Sequence, residues 1–198
     1  SEICLDTDVV FNALHGRYGE DGCVQGLCEL LGMPYTHSGV LASALAMNKM
    51  VSKRLFLNAG IPVPCGEVLF PREIRAREPM SRPYVVKPIN EGSSLGVYIV
   101  QKDEEWPVGP ETWNDDEPVL VEDYVPGREL TVAIMEERSL EVLEIKPVQG
   151  FYDFDAKYTK GRVQYIIPAV VPNSTREEVL HFALLAHQTL GCRGVTRA

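Results

Sequence analysis

Residues 84–100 constrain this chain more than any other stretch. Two β-rich runs, 84–86 and 97–100, flank Lys87-Pro88-Ile89-Asn90-Glu91-Gly92-Ser93-Ser94-Leu95-Gly96. Glycine adopts left-handed backbone without penalty, so Gly92 and Gly96 are expected to turn the chain tightly and bare its N–H groups. Ser93 and Ser94 add hydroxyl donors, and Lys87 ends the first run with a compact positive charge. That combination suits an anion, most simply a phosphate. It is not a Walker loop, which needs Gly-Lys-Ser/Thr opening a helix. Taken alone, the stretch also reads as an ordinary Gly/Ser hairpin turn.

A phosphate site must be weighed against the charge of the whole chain. Lys plus Arg is 19 against 28 Asp plus Glu, a net charge of -9, which argues against nucleic acid or an anionic membrane as partner. Local lysines still suffice: a unit pair about 4 Å apart is worth roughly 4 kcal/mol at an effective dielectric near 20, whereas charges beyond about 8 Å are screened. Cys4, Cys23, Cys28, Cys65 and Cys192 show neither metal-ligand spacing nor a C-x-x-C pair, and they read as reduced thiols of a cytoplasmic protein. No signal peptide and no apolar run of about 18 residues appears, so secretion and membrane spanning are not expected. At 198 residues and 45% hydrophobic content, the chain can form one large domain or two small ones.

The rest of the chain reads as α/β. Residues 8–14 are an apolar run consistent with a buried parallel strand, followed by a glycine-rich loop, His15-Gly16-Arg17-Tyr18-Gly19-Glu20-Asp21-Gly22. His15 stands where a ligand site would open, although a histidine at a strand end is often simply hydrogen-bonded in place. Next comes a helix with Asp21 as cap and Val24, Leu27, Cys28 and Leu31 as its sheet-facing side. Residues 40–47 form an Ala/Leu-rich helix, and Asn48 caps another that carries Lys49 and Lys53 one turn apart, by itself a solvated basic face. Pro62 to Gly66 is extended linker. Strands follow at 65–70, 84–86 and 97–100, while residues 72–82 have too poor a periodicity to assign. Residues 119–125 are a strand running into the Pro126-Gly127 turn, and 129–135, 140–148 and 163–167 are further strands. Residues 150–161, aromatic and charged between glycines, read as a lid. Ser174-Thr175-Arg176-Glu177 is a capping box for a helix bearing Val179, Phe182, Ala183, Ala186 and Leu190, and a strand begins at Gly194.

Four motifs, in order, carry a family resemblance. They are Asn12-Ala13-Leu14-His15-Gly16 with Gly19-Glu20-Asp21-Gly22; Tyr35-Thr36-His37-Ser38-Gly39 through Ser43-Ala44 to Lys49; Val86-Lys87-Pro88 with Glu91-Gly92-Ser93-Ser94-Leu95-Gly96-Val97; and Phe151-Tyr152-Asp153 to Ala156-Lys157-Tyr158. The chain resembles the ATP-grasp superfamily and, within it, the D-alanine:D-alanine ligases of bacterial cell-wall (peptidoglycan) synthesis. The resemblance runs from about residue 8 to residue 198. It implies a partial N-terminal parallel-sheet α/β domain (residues 1–47) followed by two ATP-grasp subdomains of α+β character (48–125 and 126–198).

It also implies roles. Lys87 and Lys49 would hold phosphates, with Lys87 reaching the adenine side. Glu122 would accept from the adenine amino group while the backbone of Asp123, Tyr124 and Val125 reads the ring edge. Glu129 would hold the ribose hydroxyls, and Ser94 with neighbouring N–H groups would cover the β- and γ-phosphates. Glu91 and Tyr152 would join the nucleotide site. Ser93, Tyr158 and His15 would position the first D-alanine, Lys157 would lie by the transferred phosphate, and Arg197 would stabilise the developing oxyanion. Tyrosine at 158 favours an amine over a hydroxy acid as second substrate. The expected chemistry is phosphorylation of one D-alanine carboxylate by ATP, then attack by the amine of a second on the acyl phosphate.

By the same resemblance the partners are D-alanine, ATP and Mg²⁺, and the protein is a homodimer. Relatives begin with a strand and a glycine-rich loop bearing a glutamate, and residues 1–7 contain no counterpart. They place magnesium-binding carboxylates after the position of Arg197, so the metal ligands are expected beyond Ala198, no residue of the chain is assigned to the metal, and the chain is expected to be a piece of a longer one. Two alternatives remain: another ATP-grasp ligase joining a carboxylate to an amine or thiol, and a nucleotide-binding module without turnover.

Overall fold

Period-two apolar patterning becomes two antiparallel sheets in the computed structural model, which describes residues 7–103, 113–148, 159 and 161–198. The elements are α1 (Cys23–Leu30), α2 (Val40–Met47), α3 (Lys49–Asn58), β1 (Gly66–Leu69), α4 (Pro71–Ala76), β2 (Tyr84–Pro88), β3 (Tyr98–Val100), β4 (Val119–Asp123), β5 (Glu129–Met135), β6 (Arg138–Pro147), β7 (Val163–Ile166), α5 (Asn173–Thr189) and β8 (Val195–Arg197). No helix among the described residues is long and apolar enough to cross a membrane.

The first sheet has four strands in the order β1-β4-β2-β3. Tyr84 and Val86 of β2 pair across to Val100 and Tyr98 of β3, and Val86 pairs with Val121 of β4. Alternation sends Tyr84, Val86, Val100, Val119 and Val121 into one core with Leu69, Ile74 and Trp113. Each buried valine contributes about 1.5–3 kcal/mol. The same alternation leaves Val85, Lys87, Leu120 and Glu122 on the other face, so the core positions the charged residues without touching them.

The second sheet has the order β7-β6-β5-β8. Val132, Ile134 and Val142 pack under α5 against Ala183, with Val179, Leu180 and Leu184 beside them. Glu129, Thr131 and Ala133 alternate onto the face away from α5, and Arg197 of β8 lies opposite Ala133. The two sheets are joined by residues 124–128.

The segment before α3 departs from its sequence reading. Residues 8–14 form no ladder among the described residues, only a parallel bridge from Val10 to Tyr35, with Thr36 N donating to Val10 O at 3.2 Å. Phe11 and Leu14 are exposed. Helix α1 does not bury its expected stripe either: Cys28 is buried, but Leu27 and Leu31 are exposed and Gln25 is enclosed instead. Gln25 Nε2 donates to Gly19 O at 3.0 Å, which offsets part of the cost of burying the amide, while its Oε1 is buried without a hydrogen-bond partner.

Three smaller differences have local causes. Helix α5 starts at Asn173 with Pro172 as its N-cap and no side-chain cap, so Ser174 makes no capping box. The Pro172 carbonyl, set by a φ of -57°, accepts from Arg176 N at 2.9 Å and starts the first turn one residue early. Residues 72–82, unassigned from periodicity, open with α4, where Glu73 Oε2 accepts from Phe70 N at 2.8 Å. Strand β4 ends at Asp123 rather than at residue 125.

Residues 37–38 and 193–194 clasp the two ends of the described chain together. Ser38 Oγ donates to Arg193 O at 3.1 Å and accepts from Arg193 N at 3.2 Å, and Arg193 Nε donates to His37 O at 3.1 Å. The Arg193 guanidinium lies 4.8 Å from the Tyr35 ring centroid. Gly194, at φ +67°, fits because any Cβ there would overlap the Thr36 carbonyl oxygen.

Candidate functional site

The loop between β2 and β3 is held at both ends. At its start, Lys49 N donates to Ile89 O at 3.1 Å and the Lys49 ammonium donates to Glu91 O. The ammonium's reach is set by α3, whose first turn is capped by Asn48 Oδ1 accepting from Val51 N at 3.0 Å. At the loop's exit, Trp113 Nε1 donates to Gly96 O at 3.2 Å, and the Trp113 ring stands edge-on to Tyr98 at 5.1 Å. Between these anchors the backbone is left-handed at Ser93 (φ 53°), Ser94 (φ 59°) and Gly96 (φ 66°). Gly92 was expected to turn the chain and does not appear among the left-handed residues; the two serines do that work. Non-glycine residues rarely hold this conformation, at a cost of order 1–3 kcal/mol each, and such strain collects at ligand clamps.

Gly92 faces the glycine-rich turn after residue 14 instead. A Cβ on Gly92 would lie 3.5 Å from Gly16 Cα and 4.0 Å from Glu20 Oε2. The turn that carries the exposed His15 therefore lies against the residue before Ser93. Its turn is braced from within: Gly16 N donates to Glu20 Oε2 at 2.5 Å, Tyr18 N to Asp21 Oδ2 at 2.8 Å and Cys23 N to Asp21 Oδ1 at 3.0 Å. The Tyr18 N–H holds the Asp21 carboxyl below its ordinary range.

Below the loop lies a buried charge cluster. Glu122 is 5% exposed, and both its oxygens are taken: Oε2 by Lys53 Nζ at 2.5 Å and Oε1 by the Lys87 ammonium. Burying a lone carboxylate would cost several kcal/mol, so the two ammonium groups are what permits it. Lys53, read from sequence as part of a solvated basic face, is a correction: its side chain is only 15% exposed. The signal was its one-turn spacing from Lys49, which puts both ammonium groups on the same side of α3.

Asp123 ends β4, Tyr124 and Val125 begin the crossing between the sheets, and Glu129 opens β5. Arg197 shares the open face of the second sheet with Glu129, about 13 Å along the strand at roughly 3.3 Å per residue. Arg128 braces that crossing: its guanidinium forks onto Glu144 through Nε at 2.8 Å and Nη2 at 2.5 Å, and Nη1 donates to Val170 O at 2.9 Å. Tyr152, Lys157, Tyr158 and nearly all of the expected lid lie outside the described residues.

A cleft of about 840 Å³ opens on the Asn48 side of the loop, lined by Arg17, Asp21, Asn48, Glu91, Trp113 and Glu117 among others. Neither Lys87 nor Glu122 lines it, so its size does not make it the centre of the charged face. Among the described residues no three His, Cys, Asp or Glu side chains gather to hold a metal ion.

A buried carboxylate with two lysines lies under a left-handed serine loop and beside a crossing between two antiparallel sheets, and the fold that carries it is that of an ATP-grasp protein. Solved ligases share this fold. The VanG D-Ala:D-Ser ligase from Enterococcus faecalis matches with TM-score 0.80 and 32% identity over 98% of this chain and 59% of its own. The D-alanine--D-alanine ligase from Bacillus anthracis complexed with ATP matches with TM-score 0.76 and 32% identity, over 99% and 65%. The D-ala D-ala ligase C-terminus family matches residues 56–198, and the D-ala D-ala ligase N-terminus family matches residues 1–38. The chain belongs to the D-alanine–D-alanine ligase family. The D-alanine--D-alanine ligase of Paramagnetospirillum magneticum (strain ATCC 700264 / AMB-1) is 54% identical over 191 residues, covering 96% of this chain and 62% of that protein. That of Caulobacter vibrioides is 48% identical over 198 residues, covering 96% and 61%. The chain therefore spans about three fifths of the length of these relatives.

Proposed function

We propose that this chain carries the nucleotide clamp of an enzyme that joins two D-alanines into D-alanyl-D-alanine at the expense of ATP, for peptidoglycan precursors. The observation that supports it most directly is the approach of the His15–Gly16 turn to Gly92, which brings the turn bearing the expected D-alanine-positioning histidine against the expected phosphate loop. On this reading residues 48–125 and 126–198 are the two halves of the clamp, and residues 1–47 belong to the substrate domain. Lys87 and Lys49 neutralise phosphate charge, Ser94 and the loop N–H groups cover the β- and γ-phosphates, and Glu91 and Tyr152 complete the nucleotide site. Glu122 accepts from the adenine amino group, the backbone of 123–125 reads the ring edge, and Glu129 binds the ribose. Ser93, Tyr158 and His15 orient the first D-alanine, Lys157 meets the transferred phosphate, and Arg197 stabilises charge on the tetrahedral carbon's oxygen.

Two anions must meet before the first step, so positioning and cationic neutralisation supply most of the acceleration. Magnesium, when bound, would supply further neutralisation of phosphate charge, and among the described residues no group of three His, Cys, Asp or Glu side chains is placed to hold it. A cytoplasmic homodimer completes the reading.

The test is ATP turnover by the chain with Mg²⁺ and each of D-alanine, D-serine, D-lactate and L-alanine, with products identified by mass spectrometry. D-alanine-dependent phosphate release with D-alanyl-D-alanine as product is expected; release driven better by another acceptor or by L-alanine overturns the substrate assignment. A second reading is a nucleotide-binding module without turnover. It predicts thermal stabilisation by ATP, about 2.7 kcal/mol at 100 times the dissociation constant, with no ADP formed.

A further inference from the structure

Helix α3 contacts the phosphate loop and the buried carboxylate at once. Lys49 holds the loop carbonyl of Glu91, and Lys53, one turn on, holds Glu122 Oε2 at 2.5 Å. The helix start is fixed by its Asn48 cap, and Ser52 Oγ, between the two lysines, donates to Asn48 O at 3.1 Å. Lys53 therefore comes from a braced backbone. Lys87 comes from a different element: it lies opposite Leu120 in the β2–β4 ladder, one residue before the strand gives way to the loop, and its ammonium takes the other oxygen, Oε1. A triphosphate carries more negative charge than one carboxylate, so a nucleotide bound at the loop would compete with Glu122 for the Lys87 ammonium. Lys53, anchored on the helix, would remain as the partner that keeps the Glu122 carboxylate aimed.

We propose that Lys53 is the positioning residue for base recognition: it pins Oε2 of Glu122 so that Oε1, released by Lys87, accepts from a donor on the nucleobase. This rests on the nucleotide reading above and adds to it a residue and a division of labour. Because Glu122 offers only acceptors, the pinned carboxylate favours a base with an exocyclic amino group at that edge over one with a carbonyl. Lys53 thus sets selectivity among purine nucleotides, while Lys49 and Lys87 set affinity for phosphate.

The experiment is calorimetric titration of the wild-type chain, Lys53→Met, Lys53→Arg, Glu122→Gln and the Lys53→Met/Glu122→Gln pair, each with ATP and with ITP, whose base carries a carbonyl in place of the amine. Lys53→Met is expected to weaken ATP about tenfold while changing ITP little, the loss of one well-aimed charge-assisted hydrogen bond. Lys53→Arg should retain most of the ATP-over-ITP preference. On the Glu122→Gln background, Lys53→Met should add no further loss of preference, and that pair holds no buried unpaired carboxylate, so it reports even if the single variant fails to fold. Unchanged ATP-over-ITP preference in Lys53→Met, or a loss that adds in full to that of Glu122→Gln, overturns the proposal while leaving the nucleotide site intact. If the wild-type chain binds neither nucleotide, the proposal and the site reading fall together.

Discussion

The β5–β6–α5 unit and the segment from residue 7 to residue 39 meet at Ser38 and Arg193, yet they handle their apolar side chains in opposite ways. In the first, Val132, Ile134 and Val142 are 1% exposed or less under α5. In the second, Phe11 is 79% and Leu30 87% exposed, while Gln25 is buried. The segment is tied on by polar contacts, the bidentate use of Ser38 Oγ and the Arg193 bond to His37 O. The lesson is that periodicity sets which face of an element is apolar, but burial requires a complementary surface to receive that face. Sheet alternation comes with its own partner strands, whereas a lone bridge at Val10 does not.

The contrast can be broken most forcefully in the apolar unit. Ile134→Ala should cost about 2–5 kcal/mol, read by urea denaturation, because α5 and the neighbouring strands cannot close the cavity. A loss below about 1 kcal/mol would show that this core is not what holds the sheet. At the clasp, Gly194→Ala should cost about 2–4 kcal/mol, combining left-handed strain with overlap at the Thr36 carbonyl. Protease nicking within residues 7–39 should rise in that variant, with the β5–β6 unit still protected.

Ser38→Ala sharpens the same point more gently, with an expected loss of about 1 kcal/mol from two hydrogen bonds left unmade. Acid provides a milder probe. Burial first, and the Arg193 charge second, hold the His37 imidazole below its ordinary value of 6.5. The unfolded chain then binds the proton more readily, so the contribution of neutral His37 is complete above about pH 6.5 and is lost as pH falls below it. Melting temperature should drop as pH falls below about 6.5 in the wild type and drop less in His37→Gln; equal slopes would remove His37 from the clasp's energetics. The smallest effect is Leu30→Ala, within about 0.5 kcal/mol, because that side chain already stands in solvent.

The candidate site was legible in parts that depend on local chemistry. A lysine at the end of a strand, serines between glycines and a helix opened by Asn48 are all short-range signals, and β2, β3 and α3 appear where they point. Gly92 misled because a glycine can mark close approach as well as a left-handed turn, and here its neighbour is Gly16. Lys53 was missed because a basic helical face looks solvated until a carboxylate from another element is brought against it.

From its own residues the chain determined the strand alternation, helices α2 and α3, and a serine-rich loop behind Lys87, since each depends on neighbours a few positions away. The tertiary structure alone decided that Lys53 meets Glu122 across 69 residues and that Ser38 meets Arg193 across 155. Those pairings follow from which faces of the sheets the two cores leave open, and a buried carboxylate must then find its cations wherever the packing has placed them.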